Sequence, residues 1–287
     1  IVCKALVEEE SFTNSRERIL STILYSDNLN VEELLEQANY LGINLSGKYR
    51  CFLLQLHQRE KLPNDTSRLD EGYMMEMRGS IKKMVKKEFR SHGLERLMVL
   101  PQLDSVIGLI PGEFFSHDLL QIILEKIIGR VESSYHIDVK AGIGTSYEYI
   151  EDFRKSYQEA KNTLAISKIS ADEKKVYFYE KLGIYSLIAQ ISNGKFLDDY
   201  VESRIGDLIK ADQMQEGGLC ETLETYLAHN CNAKAAAEYL FIHRNTMRYR
   251  MDKIKKILDD DINDMEVFLE LKLAFAIKRY RENRTVR

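Results

Sequence analysis

The chain has 287 residues, which is enough for about two domains that each bury a core of their own. Its 41 lysines and arginines are outnumbered by 45 aspartates and glutamates, and the net charge of −4 excludes a protein that coats nucleic acid over its whole surface. No apolar run approaches the roughly 20 residues of a membrane span, and no signal peptide is visible.

Cysteine and histidine occur without the spacing of a metal site. Cys3, Cys51, Cys220 and Cys231 form no CxxC pair, and the six histidines lie far apart in sequence. The pattern predicts no metal, no cofactor and no disulfide framework, and it is typical of a protein in the reducing cytoplasm. The chain begins at Ile1 rather than at methionine, so we expect that sequence upstream of it is missing.

Residues 1–45 have a helical pattern. Apolar residues recur at helical spacing, and Asn30 with Glu33 predicts a capping box at the start of a helix that Gly42 closes. Three roles are open for this segment. It is a connector from a missing sensor domain, a helix that forms a dimer, or a helix packed on the next domain.

Between residues 46 and 182, strand and helix patterns alternate. The predicted strands are 49–56, 96–100, 105–110, 137–143 and 175–179, and the predicted helices are 81–89, 116–133 and 150–167. The order β-α-β-β-α-β-α-β, with a hairpin at its middle, is that of a ferredoxin-like βαββαβ sheet with one more helix and strand, an α+β fold. The lysine run on helix 81–89 predicts a solvated face, with DNA contact as the alternative.

The same order is that of the palm of GGDEF diguanylate cyclases, which the segments 138–144 (DVKAGIG) and 157–165 (YQEAKNTLA) resemble. Cyclase chemistry needs carboxylates on the first strand and in the hairpin, where they hold Mg²⁺. Residues 49–57 contain no Asp or Glu, and the hairpin has Pro101-Gln-Leu-Asp-Ser105 in place of the motif. We therefore predict a degenerate, non-catalytic domain. The alternative is a diverged nucleotide cyclase or nucleotide-binding enzyme with an appended DNA-binding domain.

After residue 182 the chain is predicted to be helical. A linker at 183–217 leads to a hinge at Gly217-Gly218 and to a C-terminal domain at 218–287. In that domain Asn232 caps a short alanine-rich helix, which a tight connection joins to a basic amphipathic helix. The apolar face of the basic helix consists of Met247, Met251, Ile254 and Leu258. This is the layout of a helix-turn-helix, an all-α DNA-binding unit.

The basic helix is predicted to bind DNA. From Arg244 to Lys256 it has six cations and one anion, Asp252, which gives a local charge of +5. Arginine can pair with a guanine edge and asparagine with adenine, whereas lysine and arginine neutralise phosphates. The residues predicted to contact DNA are His243, Arg244, Asn245, Thr246, Arg248, Tyr249, Arg250, Lys253 and Lys256. Residues 243–248 are the predicted base readers. The predicted phosphate contacts are Arg250, Lys253 and Lys256. A solvated basic face, or a helix that binds a protein or RNA partner, is the alternative.

The final helix, predicted at 266–281, follows an acidic segment. Asn263 with Glu266 predicts its N-terminal cap. Its last turn contains Lys278, Arg279 and Arg281, which suit the negative end of a helix dipole and are alternatively phosphate contacts.

The segment 243–251 (HRNTMRYRM), with 226–230 (YLAHN) and 236–240 (AAEYL), resembles the C-terminal domain of PucR/CdaR-type bacterial transcriptional regulators. The resemblance covers residues 183–281, and such regulators commonly carry a GGDEF-like domain just before it. It implies a cytoplasmic, non-enzymatic regulator of a metabolic operon that binds promoter DNA as a homodimer or higher homo-oligomer. A small-molecule effector would be sensed by the GGDEF-like domain or by a missing N-terminal domain, and no membrane association is implied.

Overall fold

A computed structural model of the protein describes residues 15–58, 71–167, 174–191, 193–214 and 217–285. The chain divides into two compact units, Ile1–Gly183 and Ile184–Arg287. Of the helices in the described part of the chain, none is both long enough and apolar enough to cross a membrane.

The first unit is a five-stranded sheet with helices on both faces. Its strands are β1 (Tyr49–Gln58), β2 (Met98–Pro101), β3 (Ser105–Pro111), β4 (Ile137–Ile143) and β5 (Val176–Phe178). Its helices are α1 (residues 15–25), α2 (Val31–Tyr40), α3 (Glu71–Ser91), α4 (His117–Tyr135) and α5 (Phe153–Ser167), with 3₁₀ turns at Ile150–Asp152 and Tyr179–Lys181. The strand order is β2-β3-β1-β4-β5, and only β4 and β5 are parallel neighbours.

This topology confirms the predicted α+β fold. The order β2-β3-β1-β4 is that of the ferredoxin-like sheet, and α5 is the crossover that the parallel pair β4–β5 requires. Helix α3 is longer than the predicted 81–89, because Met77 is buried and Met74 packs against the same core, which extends the apolar stripe.

The central strand β1 has both of its faces covered. Phe52 and Leu54 lie in the core formed with α3 and α4, whereas Cys51 and Leu53 lie in the core formed with α5 and the N-terminal helices. A strand that is buried on both faces has apolar residues at nearly every position rather than at alternate ones. This explains why residues 49–56 have so few polar side chains.

Helices α1 and α2 pack on the same face of the sheet as α5. Leu24 of α1 and Leu34 of α2 are buried in one core with Leu53 of β1. Of the three roles open for this segment, the structure therefore shows packing on the sheet for residues 15–45. Residues 1–14 lie outside the described residues, and a domain boundary at residue 45 stays a prediction.

The second unit is entirely helical in its described residues. Its helices are α6 (Ile184–Gln190), α7 (Gly194–Met214), α8 (Leu219–Ala228), α9 (Ala233–Tyr239), α10 (Arg244–Leu258) and α11 (Met265–Thr285). Side chains from α7 to α11 form one core, and α10 packs against α7, α8 and α9. Helices α9 and α10 are joined by residues 240–243, so the predicted helix-turn-helix is confirmed.

Two predicted helix caps are confirmed. The side chain of Asn30 accepts a hydrogen bond from the backbone N–H of Glu33 at 3.3 Å. The side chain of Asn232 accepts from the backbone N–H groups of Lys234 and Ala235, both at 3.1 Å. Each bond satisfies a donor that the first turn of a helix otherwise leaves without a partner.

The predicted cap of the final helix is wrong. Asp264, not Asn263, is the capping residue, and its carboxylate accepts from the N–H groups of Glu266 at 2.8 Å and Val267 at 3.2 Å. Asn263 instead donates its side-chain amide to the carboxylate of Asp261 at 3.0 Å. Asparagine and aspartate both favour such local bonds, so the sequence pattern alone does not select between adjacent candidates.

Helix α5 lies against β4 without room for a side chain between them. A Cβ atom added at Gly144 would overlap the carbonyl oxygen of Ser156. The Ser156 hydroxyl donates to the carbonyl oxygen of Thr145 at 2.7 Å and accepts from the N–H of Cys51 at 2.8 Å. This serine therefore joins α5 to two strand ends, and the joint exists only because the facing residue is glycine.

Replacing Gly144 by alanine is expected to destabilise the protein by about 1–3 kcal/mol, because the new methyl group meets backbone that has to shift. The measurement is urea denaturation of the full chain. Gly79→Ala is the matched control, since a Cβ at this α3 position meets nothing within 4 Å. Alanine there is expected to leave stability unchanged or raise it by up to about 1 kcal/mol. Equal effects of the two substitutions would contradict the close-packing account.

The connection between α9 and α10 contains a residue in an unfavourable conformation. Phe241 has φ of +53°, in the left-handed region, and its side chain is 96% exposed. The N–H of Phe241 donates to the carbonyl of Glu238 at 3.2 Å, and that of Ile242 donates to Ala237 at 3.0 Å. These two bonds form a Schellman motif, in which glycine is the usual residue at the position of Phe241.

Phe241→Gly is therefore expected to stabilise the second unit by up to about 1 kcal/mol, because glycine adopts this conformation without a steric penalty. The thermal unfolding midpoint of the full chain measures the effect. Tyr239→Gly, also at an exposed aromatic residue but inside α9, is expected to destabilise by about 1 kcal/mol. A loss of stability in Phe241→Gly would show that the phenylalanine side chain makes a contribution that its exposure hides.

Candidate nucleic-acid interface

Three buried side chains fix the rotation of α10 about its axis. Met247, Met251 and Ile254 are at most 7% exposed and lie in the core of the second unit. They confirm the predicted apolar face, which Leu258 extends as a half-buried residue. The helix starts at a side-chain cap, since Nδ1 of His243 accepts from the backbone N–H of Asn245 at 3.2 Å.

The opposite face of α10 points away from this core. Asn245, Tyr249, Asp252 and Lys256 follow one another at intervals of four, three and four residues, and all four are exposed. Residues at these intervals lie along one side of a helix. The face therefore presents an amide, a phenol, a carboxylate and an ammonium group in a row.

Seven of the nine side chains that we predict to contact DNA are exposed. They are His243, Arg244, Asn245, Thr246, Arg248, Tyr249 and Lys256. The structure brings them together on the first turns of α10 and on its outward side. The other two, Arg250 and Lys253, are half-buried.

Arg250 has a partner inside the second unit. Its Nη1 donates to Oγ1 of Thr222 at 3.1 Å, and this hydroxyl donates in turn to the carbonyl of Gly218 at 2.6 Å. The arginine thereby ties α10 to the start of α8. The guanidinium group has further donors, so this bond leaves some of them for a phosphate contact. Lys253 also takes part in an interaction within the chain.

Two charged residues outside the predicted set lie on the exposed side of α10. They are Lys255 and Asp252. Lys255 is seven residues after Arg248, so the two cations lie on the same side of the helix. The signal that could have identified both residues is their sequence spacing from the buried residues of α10, because this spacing places them outside the apolar face.

The cations of the last turns of α11 have carboxylate partners. Nζ of Lys278 lies 2.7 Å from Glu282, and Arg281 donates two hydrogen bonds, at 2.7 and 2.6 Å, to Asp198 of α7. Arg279 donates to Glu224 of α8. The Arg281 and Arg279 pairs hold α11 against α7 and α8, whereas the Lys278 pair lies within α11. These are structural uses of the charges that were alternatively phosphate contacts.

In the first unit, Asp104 lies in the hairpin that has no cyclase motif, and it makes hydrogen bonds within the fold. The carboxylate of Asp104 accepts from Nε2 of Gln55 at 2.8 Å, and its carbonyl accepts from the N–H of Leu56 at 2.8 Å. In the ranges of the chain that the structure describes, no group of three or more His, Cys, Asp or Glu residues is placed to hold a metal ion. Asp104 therefore fastens the β2–β3 turn to β1.

The cysteines within the described ranges are free thiols. Burial raises the pKa of Cys51, and burial together with the Asp212 carboxylate raises the pKa of Cys220 to about 12. Burial also raises the pKa of Cys231. All three thiols are protonated at neutral pH, whereas nucleophilic and metal-binding cysteines react as thiolates.

Comparison with known proteins gives two domain matches. Residues 219–277 match the PucR C-terminal helix-turn-helix domain, and residues 26–166 match the GGDEF-like domain. The first match includes α8, α9 and α10, and the second includes β1 to β4.

Named relatives match parts of this chain. The proline-responsive transcriptional activator PutR of Bacillus subtilis is 29% identical over 62% of this chain and 44% of its own length. The carbohydrate diacid regulator of Escherichia coli is 26% identical over 55% of this chain and 40% of its own length. A solved structure, the regulator of polyketide synthase expression from Bifidobacterium adolescentis, is 14% identical over 94% of both chains, with a TM-score of 0.41.

The matched part of the chain spans less than half the length of the two curated relatives. The two domain matches confirm the resemblances drawn from residues 226–251 and from the order of strands and helices in the first unit. With a GGDEF-like domain followed by a PucR C-terminal helix-turn-helix domain, the chain belongs to the PucR/CdaR-type family of regulators.

Proposed function

We propose that the protein is a transcriptional regulator of a metabolic operon that binds promoter DNA sequence-specifically through α10. The observation that carries the proposal is the exposed polar and basic face of this helix, held outward by Met247, Met251 and Ile254. The relatives support it, because PutR is named a transcriptional activator and the diacid protein is named a regulator.

In this proposal α10 enters the major groove with its first turns. Arg244 and Asn245 are exposed there and have the donors and acceptors that read guanine and adenine edges. Lys256 lies on the same outward face further along the helix, where it neutralises phosphates. In a homodimer, two such helices bind half-sites about one helical turn, ~34 Å, apart.

The remaining assignments of the proposal concern the rest of the chain. The GGDEF-like domain (46–182) is non-catalytic and serves dimerisation or the sensing of a small-molecule effector. It follows an N-terminal helical segment (1–45), of which residues 15–45 pack on its sheet, and it precedes a linker (183–217) and the DNA-binding domain (218–287). The protein is cytoplasmic and is not an enzyme. The packed β1, with no carboxylate, and the turn-bound Asp104 support the non-catalytic role.

DNA binding is tested by titrating the full chain onto duplexes selected from a random library, at several salt concentrations. Arg244→Ala is expected to cost about 1–3 kcal/mol and to relax the preference for one base pair. Lys256→Ala is expected to weaken binding to all duplexes similarly and to reduce the salt slope by about 1.

The matched control is Lys87→Ala, which removes an exposed lysine from α3 in the first unit. It is expected to leave affinity, preference and salt slope unchanged. Equal and sequence-blind losses from Arg244→Ala and Lys256→Ala would contradict base reading by Arg244. Binding to RNA or protein, with no measurable affinity for duplex DNA, would contradict the proposed function as a whole.

The enzymatic alternative is tested by incubation of the full chain with GTP or ATP and Mg²⁺. We expect no cyclic nucleotide product, because two-metal chemistry needs carboxylates that β1 does not have. An active diguanylate cyclase assayed in parallel is the positive control. Turnover by the wild-type protein would replace the regulator proposal with the diverged cyclase.

A further inference from the structure

Asp252 lies in the middle of the outward face of α10. It is the only anion between Arg244 and Lys256, and it is exposed between Tyr249 and Lys256 on that face. A side chain at this place is directed at the same surface as its neighbours Tyr249 and Lys256. In the proposed function, on which this inference rests, the outward face of α10 lies against the major groove of DNA.

Asp252 is also a carboxylate that its own helix does not neutralise. Arg248 precedes it by four residues, and Lys255 and Lys256 follow it by three and four, which are the spacings of helical ion pairs. Among the residues that the structure describes, however, the Asp252 carboxylate has no hydrogen-bond or ion-pair partner. Its charge is therefore available to an outside partner.

Phosphates repel this carboxylate, so it opposes the cations around it in any sequence-independent contact with DNA. In the major groove a carboxylate has a favourable partner in an exocyclic amino group, which cytosine presents at N4 and adenine at N6. Guanine and thymine present acceptors in the groove and offer it no donor. The repulsion is offset only where the base sequence supplies an amino group.

We propose that Asp252 is a specificity-determining residue that accepts a hydrogen bond from an exocyclic amino group of cytosine or adenine. Its carboxylate weakens binding to every duplex that has guanine or thymine at the facing position. Asp252 thus raises the sequence preference of the protein while it lowers the overall affinity for DNA. No predicted base reader among residues 243–248 combines these two effects, because none of them is an anion.

The experiment selects bound duplexes from a randomised DNA library with the full-length wild-type chain, Asp252→Ala and Asp252→Asn. Wild type is expected to fix cytosine or adenine at one position. Asp252→Ala is expected to lose that preference by roughly tenfold, to keep the other preferences, and to bind non-selected duplex more tightly. Asp252→Asn is expected to shift the position towards adenine, with which an amide pairs at N6 and N7.

The matched control is Asp260→Ala, which removes the same charge at an exposed site just past α10. It is expected to change no base preference. If Asp252→Ala raises affinity as Asp260→Ala does and keeps every preference, Asp252 is a general repulsive charge and the proposal is overturned. If the wild-type chain selects no sequence at all, the proposed function itself fails. Far-ultraviolet circular dichroism confirms that the exposed substitutions leave the helices intact.

Discussion

The outward surface of α10, which we propose to face DNA, depends on the burial of the opposite side of this helix. Met247, Met251 and Ile254 pack into the core of the second unit, and each such side chain contributes about 1.5–3 kcal/mol by leaving water. Successive residues of a helix are rotated by about 100° about its axis. A shift of the buried face by one residue would therefore place a different set of side chains on the outward face. The buried residues therefore decide which side chains α10 presents on its outward face.

In the first unit, the scaffold of a cyclase-like domain is preserved without the carboxylates of its chemistry. The two cores on either side of β1 are filled by residues such as Phe52 and Leu53, and neither core needs an acid. The joint between α5 and β4 needs Gly144 and Ser156, which also have no part in metal binding. The residues that hold this fold together are therefore different from the positions at which cyclase chemistry needs carboxylates.

The sequence predicts those features that arise from periodicity. Alternating patterns predict the order of strands and helices along the chain, and the apolar face of α10 follows from the spacing of Met247 and Met251. The sequence does not specify contacts between residues distant in sequence, such as Arg250 with Thr222. Local competition is the second limit. Adjacent Asx residues are equal candidates for a cap, and nothing in a pattern shows that Phe241 takes the left-handed place that glycine usually has.

Charge is distributed along α10 as well as around it. Cations run along the whole helix, from Arg244 and Arg248 in its first turns to Lys255 and Lys256 in its last turn, and the exposed acids Asp259, Asp260 and Asp261 follow its end. The helix dipole adds to the positive potential at the N-terminus. Because screening limits charge interactions to about 8 Å at physiological salt, the remote acids behind the net charge of −4 have little effect at this surface. The field at the proposed contact is therefore that of α10 and its flanks, and it favours approach of the N-terminal turns to phosphates.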